Sequence, residues 1–177
     1  MDIYCAPRHD RGGSEAVYSL LEYVFTAKSY GKTLPEIEKT PNGKPYFPAR
    51  PDIHFSLSHT KTHVLCALSD KPVGVDIESP RHISARAIGY FCLPEELAQF
   101  DPLDLWVIKE SYIKLLGATL PAVKDLRFSR DGGVIVAPDE TAVVKLYRFG
   151  ERDGGCRAAV STFGGEPPDV VSFYLPR

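Results

Sequence analysis

The stretch DPLDLWVIKESYIKLLG, Asp101–Gly117, constrains the fold more than any other because both of its ends are chemically marked. Asp101 can accept a first-turn N–H, Pro102 suits the first helical position, Asp104 favours the positive end of the helix, and Gly117 can close it in a left-handed conformation. A second long helix is expected over SEAVYSLLEYVFTAKSYG, with Ser14 as cap, Glu15 in the first turn and Gly31 as the stop. Its core-facing stripe is Val17, Leu20, Leu21, Val24 and Phe25. Neither helix can hide its apolar surface alone, so each must pack on another element.

The remaining apolar runs supply the strands. MDIYCA opens the chain; DIHFSLSH, HVLCALS and PVGVDIE read as three successive strands; DLRFSR and VIVA face each other across Asp-Gly; AVVKLYRF and RAAVSTF form another hairpin; VVSFYL closes the chain. ISARAIGYF and PEELAQF are short helices. The pattern predicts an α+β protein of two similar lobes, residues 1–82 and 83–177, each a long helix packed on a small antiparallel sheet.

A chain of 177 residues can bury a core without disulfides or a structural metal. Its net charge of −2 argues against a general nucleic-acid binder, which would be basic. Cys5, Cys66, Cys92 and Cys156 are scattered without metal-ligand spacing, and a reduced compartment is expected. MDIYCAPRHDRGG is not a signal or transit peptide, and no apolar run reaches membrane-spanning length. The expectation is a cytoplasmic protein that acts on neither membranes nor nucleic acid.

In PVGVDIESP, Val73, Val75 and Ile77 alternate with Gly74, Asp76 and Glu78. Period-two alternation puts the two carboxylates on one face, about 6.5–7 Å apart along the strand. A solvated edge strand accounts for such a pair as readily as a cation site does. On the long helix, Glu110 and Lys114 are four apart and share a face, which Trp106 extends; Lys109 points to the side. Taken alone, that pair suits a surface ion pair worth about 0.3–0.5 kcal/mol. Together, three carboxylates offer the hard oxygen ligands that Mg²⁺ takes alongside water and phosphate, with Lys114 one turn away to meet that phosphate. Lys44, in NGKPYFP, sits in a turn stiffened by Gly43 and Pro45, which suits either a phosphate clamp or an ordinary loop lysine. Ser58 and His59 are strand neighbours, so they face opposite sides and do not form a nucleophile pair. Phosphate contacts at the strand end, or a structural histidine, fit better.

VGVDIE followed by WVIKESYIK resembles the two-part signature of the 4′-phosphopantetheinyl transferases, specifically the Sfp type. GKP and FSLSHT, upstream, are similar to that family's earlier motifs, in the same order. The resemblance runs from about Asn42 onward and implies a pseudo-twofold α+β fold. It further implies that Asp76, Glu78 and Glu110 hold Mg²⁺, with Mn²⁺ as a substitute, on the pyrophosphate of coenzyme A. Lys44, Ser58, His59, Lys109 and Lys114 would contact the coenzyme's phosphates, with Lys114 stabilising the developing charge. Glu110 would take the proton of a serine on an apo acyl or peptidyl carrier protein, and adenosine 3′,5′-bisphosphate would leave. Only APRHDRGG stands where the family has a basic helix, so Arg8, Arg11 or Lys28 is expected to replace its contacts to the 3′-phosphate. Docking candidates for the carrier are Leu115–Lys124 and FCLPEEL. A monomer is expected, and the alternative function is a non-catalytic module that binds coenzyme A or a carrier; a Mg²⁺-dependent phosphodiesterase ranks below both.

Overall fold

A computed structural model describes residues 1–9, 12–149 and 155–174. It is an α+β protein with two principal sheets. Strands β1 (Asp2–Pro7), β4 (His54–His59), β5 (His63–Ser69) and β11 (Ser172–Phe173) form one sheet in the order β11-β1-β5-β4. The other runs β6-β10-β9-β8-β7, from β6 (Val73–Glu78), β7 (Ser129–Asp131), β8 (Val134–Val136), β9 (Ala142–Arg148) and β10 (Arg157–Phe163). A separate ribbon pairs β2 (Glu38–Lys39) with β3 (Pro45–Tyr46).

Alternation along the strands divides the core into layers. The inward residues Ile3, Cys5, Leu65 and Ala67 of the first sheet meet Val73, Val75, Ile77, Ala158 and Val160 of the second, all nearly inaccessible. On the outer face of the first sheet lies helix α1 (Gly13–Ala27), whose Val17, Leu20, Leu21, Val24 and Phe25 pack on Phe55, Val64, Cys66 and Leu68. On the outer face of the second lies helix α4 (Pro102–Leu116), with Leu105, Ile108, Tyr112 and Leu115 against Val144 and Ala159. Helices α2 (Ala85–Phe91) and α3 (Pro94–Leu97), with a 3₁₀ turn over Leu120–Asp125, wrap the remaining side of α4.

The ends of α4 are as its sequence predicts. Asp101 accepts the Leu103 N–H at 2.9 Å, Pro102 opens the helix, and Gly117 closes it at φ 63°. The start of α1 differs from expectation. Ser14 does not cap it; the helix begins at Gly13, behind Gly12, without a side-chain cap. The His59 ring lies so close that a Cβ on Gly13 would sit 2.6 Å from it, so a larger residue at this turn would have to displace the ring. The chain also leaves α1 before reaching Gly31, through Ser29 at φ 60°.

Two pairings lie beyond what local pattern shows. Strand β6 follows β5 closely in sequence yet pairs with β10, leaving β4 and β6 as neighbouring edges of two sheets. The closing strand β11 runs parallel to β1, and its neighbour Tyr174 stacks on Tyr23 of α1 at 3.8 Å between ring centroids. Cys5, Cys66, Cys92 and Cys156 are all buried. Among the described residues no helix is long and apolar enough to cross a membrane.

Candidate active site

The site is built where β6 meets α4. Gly74 allows the contact: a Cβ there would lie 2.0 Å from the Ser111 carbonyl oxygen and 2.3 Å from the Leu115 nitrogen. Helix backbone therefore rests directly on the strand, which sets Asp76, two residues on, against the last turns of α4. The Lys114 ammonium donates to Asp76 Oδ1 at 2.7 Å, and the Ser58 hydroxyl donates to the same oxygen at 2.7 Å. Asp76 is 6% exposed, and its other oxygen, Oδ2, is buried without a hydrogen-bond partner.

Glu78, at the end of β6, is held by the Trp106 indole N–H at 3.1 Å and by the Arg81 guanidinium at 3.1 and 3.3 Å. Trp106 is itself wedged edge-on against Phe91. Glu110 completes the acidic group. Burial first, then the neighbouring charges of Asp76 and Glu78, push its carboxyl up to about 7 against the opposing pull of Lys114. Glu110 lies one turn after Trp106, which holds Glu78, and one turn before Lys114, which holds Asp76, so the three carboxylates share one neighbourhood.

As they stand, no three acidic, histidine or cysteine side chains among the described residues enclose an ion. Lys114 and Arg81 instead lie on two of the carboxylates. The donor set still suits a hard divalent cation. It is all oxygen, and a buried carboxylate oxygen with no partner is costly unless something is bound to it.

The other predicted residues divide. His59 lines a cleft of about 470 Å³ with Arg8, Thr60, Lys61, Glu78 and Arg81, so it opens on the acidic group from the first sheet. Lys44 reaches the carboxyl end of α4, donating to the Leu115 carbonyl at 2.9 Å, and shares a recess of about 200 Å³ with Lys114 and Ser56. Burial pulls its ammonium down to about 8. Asn42 on the same loop donates to the Gly117 carbonyl at 2.9 Å, so this loop caps α4. Lys28 is remote from the group, paired with Asp2 at 3.1 Å over the Tyr4 ring, and Arg11 lies outside the described residues. Arg8 alone of the three expected substitutes is seen beside His59.

Lys109 is not brought to the site. Helix α4 is buried on nearly all sides, and Lys109, 0% exposed, points into the packing of its own half. Its three N–H bonds go to the Phe91 carbonyl at 2.6 Å, Glu96 Oε2 at 2.8 Å and the Leu126 carbonyl at 2.9 Å. Glu96 in turn accepts the backbone N–H of Leu93 and of Phe128. This clamp ties α2, α3 and the following chain to α4, and all three of the lysine's protons are used in it. Lys109→Ala is expected to cost about 3–5 kcal/mol by leaving Glu96 charged, buried and unpaired. A thermal melt of that variant beside Lys109→Ala/Glu96→Leu should show part of the loss recovered in the double variant.

Residues that the sequence left without a role are Trp106, Arg81 and Ser56. Trp106 carried a usable signal, since it lies one turn before Glu110 on the same face. Ser56 acts across a tertiary contact that spacing does not encode, whereas Arg81 meets Glu78 only three residues away in the chain.

The family model described as 4′-phosphopantetheinyl transferase superfamily matches residues 72–160, half of the chain, and the match contains β6, α4 and β10. A 4′-phosphopantetheinyl transferase of Bacillus subtilis is 35% identical over 121 residues, covering 59% of this chain and 54% of that protein. The 4′-phosphopantetheinyl transferase Sfp of Bacillus subtilis (strain 168) is 33% identical over 144 residues, 73% of this chain and 64% of that protein. The gsp transferase of Aneurinibacillus migulanus is 37% identical over 89 residues, 45% of this chain and 37% of that protein. The matched stretch thus spans less than two thirds of each of these relatives. On the family match and these relatives together, the chain belongs to the 4′-phosphopantetheinyl transferase superfamily, with its likeness to the Sfp type.

Proposed function

We propose that the chain transfers the 4′-phosphopantetheine group of coenzyme A to a serine of an apo acyl or peptidyl carrier protein, with Mg²⁺ or Mn²⁺ held by Asp76, Glu78 and Glu110. The observation that carries this reading is the buried, unpartnered Oδ2 of Asp76 within an all-oxygen acidic group, inside the stretch that matches the family. When bound, the ion supplies charge neutralisation to the pyrophosphate.

The chain's own residues account for the rest. Lys114 is poised beside Asp76 to meet the phosphate whose charge grows as the bond breaks. Arg8, His59 and Lys61, around the cleft next to Glu78, are suited to the adenylate-side phosphates. Glu110 accepts the proton of the carrier serine. The serine oxygen bonds to the phosphorus that bears pantetheine, the anhydride bond from that phosphorus breaks, and adenosine 3′,5′-bisphosphate departs with the electron pair. An apolar groove of about 700 Å³, lined by Ile83, Tyr90, Phe91, Trp106 and Leu120 and edged by Arg81 and Arg86, borders Glu78. It includes parts of both docking candidates, and its arginines suit an acidic carrier.

The test is intact mass spectrometry of several apo carriers incubated with the protein, coenzyme A and Mg²⁺. A phosphopantetheine adduct that disappears when the metal is chelated is the expected result. Tight coenzyme binding with no adduct on any carrier would overturn transfer and favour a binding module.

A further inference from the structure

The edges of the two sheets meet without backbone pairing. Among the described residues, β4 pairs with β5 and β6 pairs with β10, and no ladder joins β4 to β6. Yet the outward N–H groups of β6 at this edge are buried and need acceptors. Two serine side chains of β4 supply them. Ser56 Oγ accepts the Val75 N–H at 3.0 Å, and Ser58 Oγ accepts the Ile77 N–H at 3.3 Å. The serines are two apart on one strand and the amides two apart on the other, so a single period-two register serves both. Ser56 and Ser58 are 5% and 8% exposed.

Ser58 does more than Ser56, because its one proton goes to Asp76 Oδ1 at 2.7 Å. A hydroxyl has one donor, and here it is spent. With Lys114 on the same oxygen, Oδ1 is saturated, which fixes the carboxylate plane and leaves Oδ2 as the atom that remains for a ligand. We infer that Ser58 is a positioning residue, joining the two sheets and aiming Asp76, and that it is not a direct contact for the coenzyme's phosphates. The part of this inference that concerns a metal rests on the proposed function above; the joint between the sheets does not.

The variants Ser58→Ala, Ser58→Thr and Ser56→Ala separate these roles. In metal-free protein, amide hydrogen exchange at Ile77 should speed up in Ser58→Ala, and exchange at Val75 in Ser56→Ala. The ¹³C shift of the Asp76 carboxylate should move in Ser58→Ala and stay put in Ser56→Ala. Mn²⁺ affinity without coenzyme should fall about 10-fold or more in Ser58→Ala, as for other supporting contacts to metal ligands, and recover in Ser58→Thr. In steady-state transfer, kcat should fall while KM for coenzyme A changes less than about twofold. Unchanged Ile77 exchange and Asp76 shift in Ser58→Ala would overturn the inference, as would a raised KM for coenzyme A with Mn²⁺ affinity intact. If the wild-type protein binds no Mn²⁺ and transfers nothing, the functional reading fails, and the exchange and carboxylate shifts still decide the role of Ser58.

Discussion

Asp76→Ala is expected to abolish phosphopantetheine transfer, a loss on the order of 10³-fold or more, while the protein stays folded. The substitution removes the buried carboxylate of the acidic group, which is held from two sides by Lys114 and by Ser58. Losing a preorganised charge contact at a phosphoryl centre costs about 10²–10³-fold by itself. Here the same change would also remove a proposed metal ligand. The fold should tolerate it because Lys114 is 30% exposed and can turn to solvent, and because an unpartnered buried oxygen is deleted with the side chain. Intact-mass assays of a carrier, paired with a thermal melt, check both halves. A fully active Asp76→Ala protein would remove this residue from the metal site.

The largest stability effect should come from Gly74→Ala. Its Cβ would be driven into the helical hydrogen bond between the Ser111 carbonyl and the Leu115 N–H. Both are backbone atoms, so no rotamer change relieves the overlap, and α4 as a whole must move off β6. We expect a cost of about 3 kcal/mol or more, at the upper end for overpacking. The same displacement would draw Lys114 and Glu110 away from Asp76, so residual folded protein should transfer poorly even at low temperature. Chemical denaturation gives the first quantity and an activity assay the second. A Gly74→Ala protein of wild-type stability would mean that the strand and helix are further apart than described.

The elements that carry the acidic group were legible because their signals are local. Period-two alternation with Gly, Asp and Glu on one side identifies β6, and Asp101, Pro102 and Gly117 mark the ends of α4. That the three carboxylates share a neighbourhood follows from the close packing that Gly74 permits, and the sequence shows the glycine but not the helix behind it. Lys109 misled for a related reason. Adjacent to Glu110, it looks like part of the same motif, yet residues one apart on a helix point about 100° apart. With α4 buried nearly all round, that turn sends Lys109 into the core, toward Glu96. Ser58 was legible as a polar residue at a strand end, but not as a joint, because its partners belong to another sheet. The start of α1 was misread because Ser14 was expected to cap it, whereas the helix begins one residue earlier, behind Gly12, with no side-chain cap. Long-range pairing, such as β11 beside β1, leaves no mark on either strand's own pattern.

Under the proposed function, Asp76, Glu78 and Glu110 close on one divalent ion that holds the coenzyme's pyrophosphate. A crystal structure with coenzyme A and Mn²⁺, using the anomalous signal of the metal, tests it most directly. The expected result is a single strong peak bound by Asp76 Oδ2 and by oxygens of Glu78 and Glu110, with Arg81 withdrawn from Glu78 and Lys114 turned toward a phosphate. Coenzyme A bound with no metal among these three side chains, or a peak elsewhere in the molecule, would contradict it.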